Sequence, residues 1–199
     1  MSQPKIQHIT TQDGSSSLYQ PALDEHYHSI HGAYTESMHV FIRMGLEPLL
    51  AQKKEHIRLM EVGFGTGLNA WLTALHSLDH HFMFHYVGLE LQPLEQVLIS
   101  SLNHTYQHAH PQAKPLWEAI HAAPWHAPHT ITPHFTLEKL ELDWTRHWPT
   151  GTFDLIYYDA FAPNKQPEMW TPELLEKCYA LLNPGGVWVT YTSKGDVRR

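Results

Sequence analysis

Apolar positions first gather at strand scale in Ile57, Leu59, Met60 and Val62, a run short enough for one buried strand over about 57–62. The period then changes. Leu68, Trp71, Leu72 and Leu75 share one helical face, which predicts a helix over about 67–78. F-M-F-H-Y-V-G-L-E-L predicts a second strand at about 82–91, followed by a helix at about 93–106 that opens with Pro93. Residues 111–130 read as a linker-like region, interrupted by Pro111, Pro115, Pro124 and Pro128, with a short helix around 116–122. A third strand is predicted near 134–142. F-D-L-I-Y-Y-D at 153–159 is a fourth, apolar on both faces as a central parallel strand should be. A helix at about 171–182 has Thr171 as cap and Pro172 in its first turn. N-P-G-G at 183–186 turns the chain into a fifth strand, V-W-V-T-Y-T, at 187–192. Strands alternating with helices indicate an α/β fold, a Rossmann-like doubly wound parallel sheet of order 3-2-1-4-5.

Upstream the pattern differs. Residues 5–21 alternate on both sides of the turn signal Asp13-Gly14 and read as a hairpin. An aromatic and histidine-rich loop follows at 22–34. A helix is predicted from Thr35 as cap, with Met38, Phe41, Ile42, Gly45, Leu46, Leu49 and Leu50 on one face and Pro48 kinking or dividing it. The chain thus divides into an N-terminal extension, 1–52, and a core domain, 53–199.

Gly63, Gly65 and Gly67 lie between the first strand and its helix. Without a Cβ such a turn can take φ > 0 and bring its backbone close to a ligand. The helix that follows aims its free N–H groups and positive dipole end at the same place. The spacing is G-x-G-x-G rather than the G-x-G-x-x-G of dinucleotide sites, and Leu68 fills the slot of the third glycine. Glu61, two residues before the first glycine, can meet a cationic amino group. E-x-G-x-G-x-G resembles the first motif of S-adenosylmethionine (SAM) methyltransferases, whose cofactor has an amino acid end and no phosphate. A turn that only joins strand to helix would read the same way.

Three more acids stand at strand ends. Glu90 closes the second strand, where a carboxylate can accept two ribose hydroxyls; a capping or surface acid is the alternative. Asp143 follows the third strand and can accept the adenine amino hydrogen, or equally cap the next turn. Asp159 ends the fourth strand at the carboxyl edge of the sheet, where open α/β sheets place their sites.

Composition narrows the reading. The net charge of −7 gives no global basic signature for nucleic acid. The single cysteine, Cys178, favours a reducing compartment, and with no signal peptide or transmembrane run the protein reads as cytoplasmic. The 18 histidines cluster at His26/His28/His31, His80/His81 and His104/His108/His110, but in no metal-ligand spacing. They read as surface histidines, and no metal is expected.

A second distinctive stretch is D-A-F-A-P-N-K-Q-P-E-M-W-T, from Asp159 to Thr171. With E-V-G-F-G-T-G-L-N, G-A-Y-T-E-S-M-H-V-F at 32–41 and T-S-K-G-D-V-R-R, it closely resembles one family. This is the methyltransferase domain of the bacterial tRNA 5-methylaminomethyl-2-thiouridine biosynthesis protein. The resemblance implies methyl transfer from SAM to the primary amine of 5-aminomethyl-2-thiouridine at the tRNA wobble position. By position it implies that Glu61, Gly63, Gly65 and Gly67 hold the methionine end of SAM, with Phe64, Thr66 and Asn69 also at the cofactor. Glu90 would hold ribose and Asp143 adenine. Asp159 would be both the catalytic acid–base group beside the amine and a cofactor neighbour. Tyr34, Phe161 and Trp170 are candidate stacking faces for the base, with burial in the core as the alternative for each. Lys165, Lys194 and Arg198, with Arg199, are a candidate phosphate patch or simply solvated charge.

Departures from the family pattern carry further expectations. The FAD-dependent oxidoreductase domain of the fused proteins is missing, so neither FAD nor oxidase activity is expected, and a separate oxidoreductase would act upstream. The sixth and seventh strands usual in this architecture have no counterpart before Arg199, so either the domain is clipped or the sequence is incomplete. Other readings remain: a small-molecule amine N-methyltransferase or aminopropyltransferase-like enzyme, and a non-catalytic tRNA- or SAM-binding module.

Overall fold

The computed structural model describes residues 5–52, 54–79, 82–104 and 109–192. Its first sheet is an antiparallel ribbon of β1 (Gln7–Thr10), β2 (Ser16–Gln20) and the short β3 (Glu25–His26). The turn between β1 and β2 is built on Asp13. One carboxylate oxygen accepts from Thr11 Oγ1 and Ser15 N, at 2.7 and 3.0 Å. The other accepts from Thr35 N and Oγ1, at 3.1 and 2.8 Å. Burial alone would push this acid's pKa up. The hydrogen bonds from Ser15, Thr11 and Thr35 outweigh it and hold the carboxyl far below the usual range.

The long N-terminal helix begins at α1 (Ala33–Ser37), winds as a π-helix over Met38–Leu46 and ends as α2 (Glu47–Leu50). Thr35 is therefore inside the helix, not its cap. Its hydroxyl is committed to Asp13, and Gly32 stands at the cap position. Pro48 falls in the first turn of α2, and Glu47 N bonds to Ile42 O five residues back, so a change of winding replaces the expected break. The helix presses closely on the sheet at Gly45, where a Cβ would stand 3.0 Å from Val189 and 3.3 Å from Tyr157.

The main sheet contains β4 (His56–Val62), β5 (Met83–Glu90), β6 (Pro128–Thr132), β7 (Phe135–Glu141), β8 (Phe153–Tyr158) and β9 (Leu182–Val189). Their order is β6-β7-β5-β4-β8-β9, with β6 antiparallel to β7 and the other neighbours parallel. The five strands read from sequence appear in the predicted order. The edge strand β6 was missed because Pro128 and its polar residues read as linker. Between the strands lie α3 (Leu68–Ser77), α4 (Gln96–Ser101), α5 (Ala113–Ala122), a 3₁₀ turn (Pro167–Trp170) and α6 (Pro172–Leu181). Among the described residues, α4 is far shorter than expected and buries none of its residues fully. N-P-G-G does not precede the last strand but bulges from within it. Phe153 pairs with Leu182 and Leu155 already with Val187, and the strand stops at Val189.

Period-two alternation divides the strands between two cores. Ile57, Leu59, Tyr86, Leu155 and Tyr157 face the N-terminal helix, α3 and α5, while Met60, Val62, Val87, Ile156 and Tyr158 face α6. Each large apolar side chain buried in this way contributes about 1.5–3 kcal/mol. The N-terminal residues Leu18, Phe41, Ile42 and Leu46 belong to the first core. No helix among the described residues is long and apolar enough to cross a membrane.

The surface reading of the histidines fails for His28 and His104. His104 is 0 % exposed, and neither ring nitrogen has a hydrogen-bond partner among the described residues. Its ring packs on Trp117 at 5.2 Å and faces His28 at 6.2 Å. Burial holds the pKa of His104 down to about 3 and those of His28 and His121 to about 4. The unfolded chain therefore binds protons on these rings below about 6.5 while the fold does not, so stability falls as pH drops from there toward 4. We expect His104→Leu to blunt that loss. Melting temperatures at pH 7 and 4.5 should lie closer together in the variant than in the wild type; an equal or wider gap would show that His104 is not a source of acid lability.

Candidate active site

The alternation that builds the first core also builds the site. On β4 the face of Ile57 and Leu59 continues to Glu61. On β8 the face of Leu155 and Tyr157 continues past the strand end to Asp159. On β5 the face of Phe84 and Tyr86 continues to Gly88 and Glu90. Three acids thus converge at the carboxyl ends of three adjacent strands, all of them lining one cleft. Its empty space, counting the open mouth, is about 1050 Å³.

The glycine turn forms the cleft floor. Gly63, Gly65 and Gly67 have φ of 89, 50 and 76°, so each takes the left-handed conformation that L side chains avoid. Gly63 is the most confined, since a Cβ there would stand 2.7 Å from Asp159 O. At Gly65 the Cβ would meet the Tyr27 ring at 3.3 Å, so the obstacle to a side chain is the N-terminal loop as well as the ligand space. Phe64 turns back onto Gly88, where a Cβ would approach its ring to 2.4 Å. Glu90 accepts Gly65 N and Gln92 N, both at 2.9 Å, and so holds the turn itself. Burial raises its pKa against these hydrogen bonds.

Glu61 is 1 % exposed. Its carboxylate accepts from Tyr86 OH at 2.6 Å and from Asn69 Nδ2 at 2.9 Å. The same Asn69 nitrogen donates to Asp159 Oδ2 at 2.9 Å. Burial raises the Glu61 carboxyl well above its usual range, and the nearby Asp159 adds to this. Asp159 is pushed up to about 8, first by burial and then by the negative charge of Glu36. Such a set of acids, each held above its ordinary pKa, suits a cationic ligand, since an arriving ammonium would favour their ionised forms. The confined glycines, the anchored turn and the acid beside it fit the amino acid end of SAM.

The other predicted residues divide. Phe161 lines the cleft and meets Tyr27 edge-on at 5.2 Å. Thr66 lines it too and lies 3.5 Å from His28 Nε2. Asp143 borders the cleft, but its Oδ1 accepts both Thr145 N and Thr145 Oγ1, the turn-capping alternative. Trp170 does not line the cleft: it packs on Tyr158 at 5.0 Å, and its Nε1 donates to Phe161 O at 2.7 Å, pinning the loop. Tyr34 is also outside the lining. Lys165 donates to Asp24 O at 2.7 Å and Asp24 Oδ2 at 3.0 Å, clasping the N-terminal loop. Lys194, Arg198 and Arg199 lie outside the described residues. Sequence reasoning missed Tyr27 and His28, which line the cleft from the loop before α1, and Tyr86, which anchors Glu61. For Tyr86 a signal existed: it shares the Glu61 face by alternation. For the loop residues nothing in the spacing pointed to the cleft.

The raised acid has a stability signature. Below about 3.8 Asp159 is protonated in the folded and unfolded chains alike. Between that and about 8 the unfolded chain releases the proton first, so stability falls as pH rises. Asp159→Asn keeps the shape and an acceptor for Asn69 but does not ionise. The ligand-free variant should melt above the wild type at pH 8, and the gap should close toward pH 4. A gap that does not change with pH would show that the carboxyl is not held in its raised state.

A family model described as S-adenosyl-L-methionine-dependent methyltransferase matches residues 136–199. A tRNA 5-methylaminomethyl-2-thiouridine biosynthesis bifunctional protein MnmC from Burkholderia thailandensis is 30% identical over 210 residues, covering 96% of this chain and 30% of that protein. The protein of that name from Magnetococcus marinus is 31% identical over 189 residues, covering 91% of this chain and 28% of that one. The crystal structure of MNMC2 from Aquifex aeolicus matches with a TM-score of 0.79 at 26% identity, covering 98% of this chain and 62% of that chain. The chain spans less than a third of the two bifunctional relatives. Sheet order, glycine turn and matched segments agree: the chain is an MnmC-like, SAM-dependent methyltransferase domain.

Proposed function

We propose that this domain methylates the primary amine of 5-aminomethyl-2-thiouridine at the tRNA wobble position, giving 5-methylaminomethyl-2-thiouridine, and does so in the cytosol. The observation that carries the reading is Asp159, a half-buried acid at the carboxyl end of the sheet, in the same cleft as the SAM-type glycine turn. The names of the similar bifunctional proteins point to the same product. The substrate of this step is itself the product of an earlier one, which in this reading an FAD-dependent oxidoreductase activity completes.

The substrate amine is an alkylamine, protonated near neutral pH like a lysine, and attacks only when neutral. Its ammonium form would pair with the ionised Asp159 and so draw that acid's pKa down. The carboxylate then orients the nitrogen and takes one proton from it, which frees the electron pair. The bound SAM supplies an already activated methyl group, so the chain mainly contributes position and field. Glu61 and Glu90 would hold the amino acid end and the ribose. Phe161 offers the cleft an aromatic edge for a base that has left the anticodon stack. A phosphate patch of Lys165, Lys194 and Arg198 belongs to the proposal, with Lys165 drawn from its pairing with Asp24.

Gly65→Val should abolish SAM binding by calorimetry, because the side chain is strained at this φ and strikes Tyr27. Unchanged affinity would remove the glycine turn from the cofactor site. Asp159→Asn should still bind SAM but transfer methyl to undermodified tRNA at least ~10²-fold more slowly at pH 7, the usual scale for a positioned acid–base group. Raising the pH toward 10 should partly restore it, as solvent deprotonates the amine instead. A wild-type rate at pH 7 would sink the role of Asp159. Methyl transfer to a panel of small amines, with none to tRNA, would replace the substrate.

A further inference from the structure

One side-chain amide, that of Asn69, serves two carboxyls, the buried Glu61 and the half-buried Asp159. Its position follows from the turn. Gly67 takes the left-handed conformation that starts α3, and Asn69 is the second residue of that helix. Its side chain is 2 % exposed. The two Nδ2 hydrogens are both spent, one on Glu61 Oε1 and one on Asp159 Oδ2, each at 2.9 Å. In this orientation the amide offers each acid a donor, which stabilises its carboxylate form. Asn69 Oδ1 is left buried with no hydrogen-bond partner among the described residues. Such an orphan acceptor costs free energy until a donor arrives.

Among the described residues, the neighbouring groups are otherwise engaged. Tyr86 OH reaches Glu61 only. Glu90 is occupied by Gly65 N and Gln92 N. Glu36, on α1, is an acid that accepts Ser29 N and raises Asp159 further. Tyr191 donates its hydroxyl to Ala160 O. Tyr157, on the shared face, pairs with Thr73. Among the described residues, the side-chain hydrogen bond that stabilises the charged form of Asp159 comes from Asn69.

We propose that Asn69 is a positioning residue of the reaction: its amide ties the acid of the cofactor end to the acid of the reaction end, fixing the direction in which Asp159 presents its free oxygen to the substrate amine. This deepens the methyl-transfer reading and rests on it. The role differs from the cofactor contact expected from sequence, because the donors of Asn69 are turned to the protein's own carboxylates. Binding of the cofactor end and readiness of the reaction acid are thereby linked through one amide.

The test uses Asn69→Leu, similar in size and unable to donate, on the full chain. Carboxyl carbons of labelled aspartate are titrated by NMR, with Asp159→Asn identifying the resonance. In the wild type Asp159 should titrate well above ordinary aspartates, and in Asn69→Leu higher still. Single-turnover methyl transfer to undermodified tRNA at saturating SAM should fall by about 10- to 100-fold at pH 7, the scale of one lost hydrogen bond to a charged group. The midpoint of its pH profile should move up in step with the titration. Asn69→Ser, smaller and polar, carries the same expectation should the leucine variant not fold. An Asp159 titration and pH profile identical to wild type would overturn the proposal. So would a rate loss at all pH values alike, which marks a merely structural residue. If wild-type protein transfers no methyl to tRNA, the functional reading fails, while the titration still decides whether Asn69 governs Asp159.

Discussion

Everything in the site depends on the two-residue period of three adjacent parallel strands. Register pairs Glu61 with Gly88 on one side and with Tyr157 on the other. Because alternate side chains share a face, Glu90 and Asp159, each two residues farther on, emerge beside Glu61. A one-residue slip in any strand would send its acid into the α6 core, among Met60, Val87 and Ile156. The apolar pattern that stabilises the sheet is therefore also what aims the chemistry. Packing and function cannot be varied independently here.

That arrangement gathers negative charge where water is scarce. A buried carboxylate without compensation is costly, and the fold reduces the cost in three different ways. Glu90 is satisfied by backbone N–H groups of the turn it supports. Glu61 accepts a phenol and an amide. Asp159 accepts one amide among the described residues, and its carboxyl is pushed up to about 8. The least satisfied acid is the one at the reaction end, which is where a site loses by being well satisfied without its ligand. A cation completes it. In the proposed reaction the cofactor would take the Glu61–Glu90 side and the amine the Asp159 side.

Legibility followed the same division. The parallel core was readable because its strands and helices have strong periods, and the five predicted strands appear in the predicted order. The acids and glycines were readable because they end strands whose limits were clear. What escaped were features with no period. β6 lay among prolines. The π-winding before Pro48 and the bulge of Asn183–Gly186 within β9 are tertiary solutions to local conflicts. Asp143 showed both of its possible roles in sequence, and only the contact with Thr145 shows the capping one. His28 and His104 looked like surface residues because polarity is a statistical guide to exposure, and neither shares a helical or strand period with the core.

The N-terminal extension and the core domain meet at the cleft. The loop before α1 places Tyr27 over Gly65 and edge-on to Phe161, and Asp24 clasps Lys165 of the acid loop. The cleft is thus walled by both parts of the chain. This bears on how an acidic protein, net charge −7, would hold a polyanion. Lys165 is not a free cation waiting for phosphate; a phosphate must compete with Asp24 for it. Exposed ion pairs contribute only about 0–1 kcal/mol, so that exchange is inexpensive. Releasing Asp24 would also loosen the loop that carries Tyr27 over the glycine turn. Phosphate engagement and access to the cleft would then be coupled through one surface pair, and electrostatic attraction to the nucleic acid would act on the walls of the site as well as on its affinity.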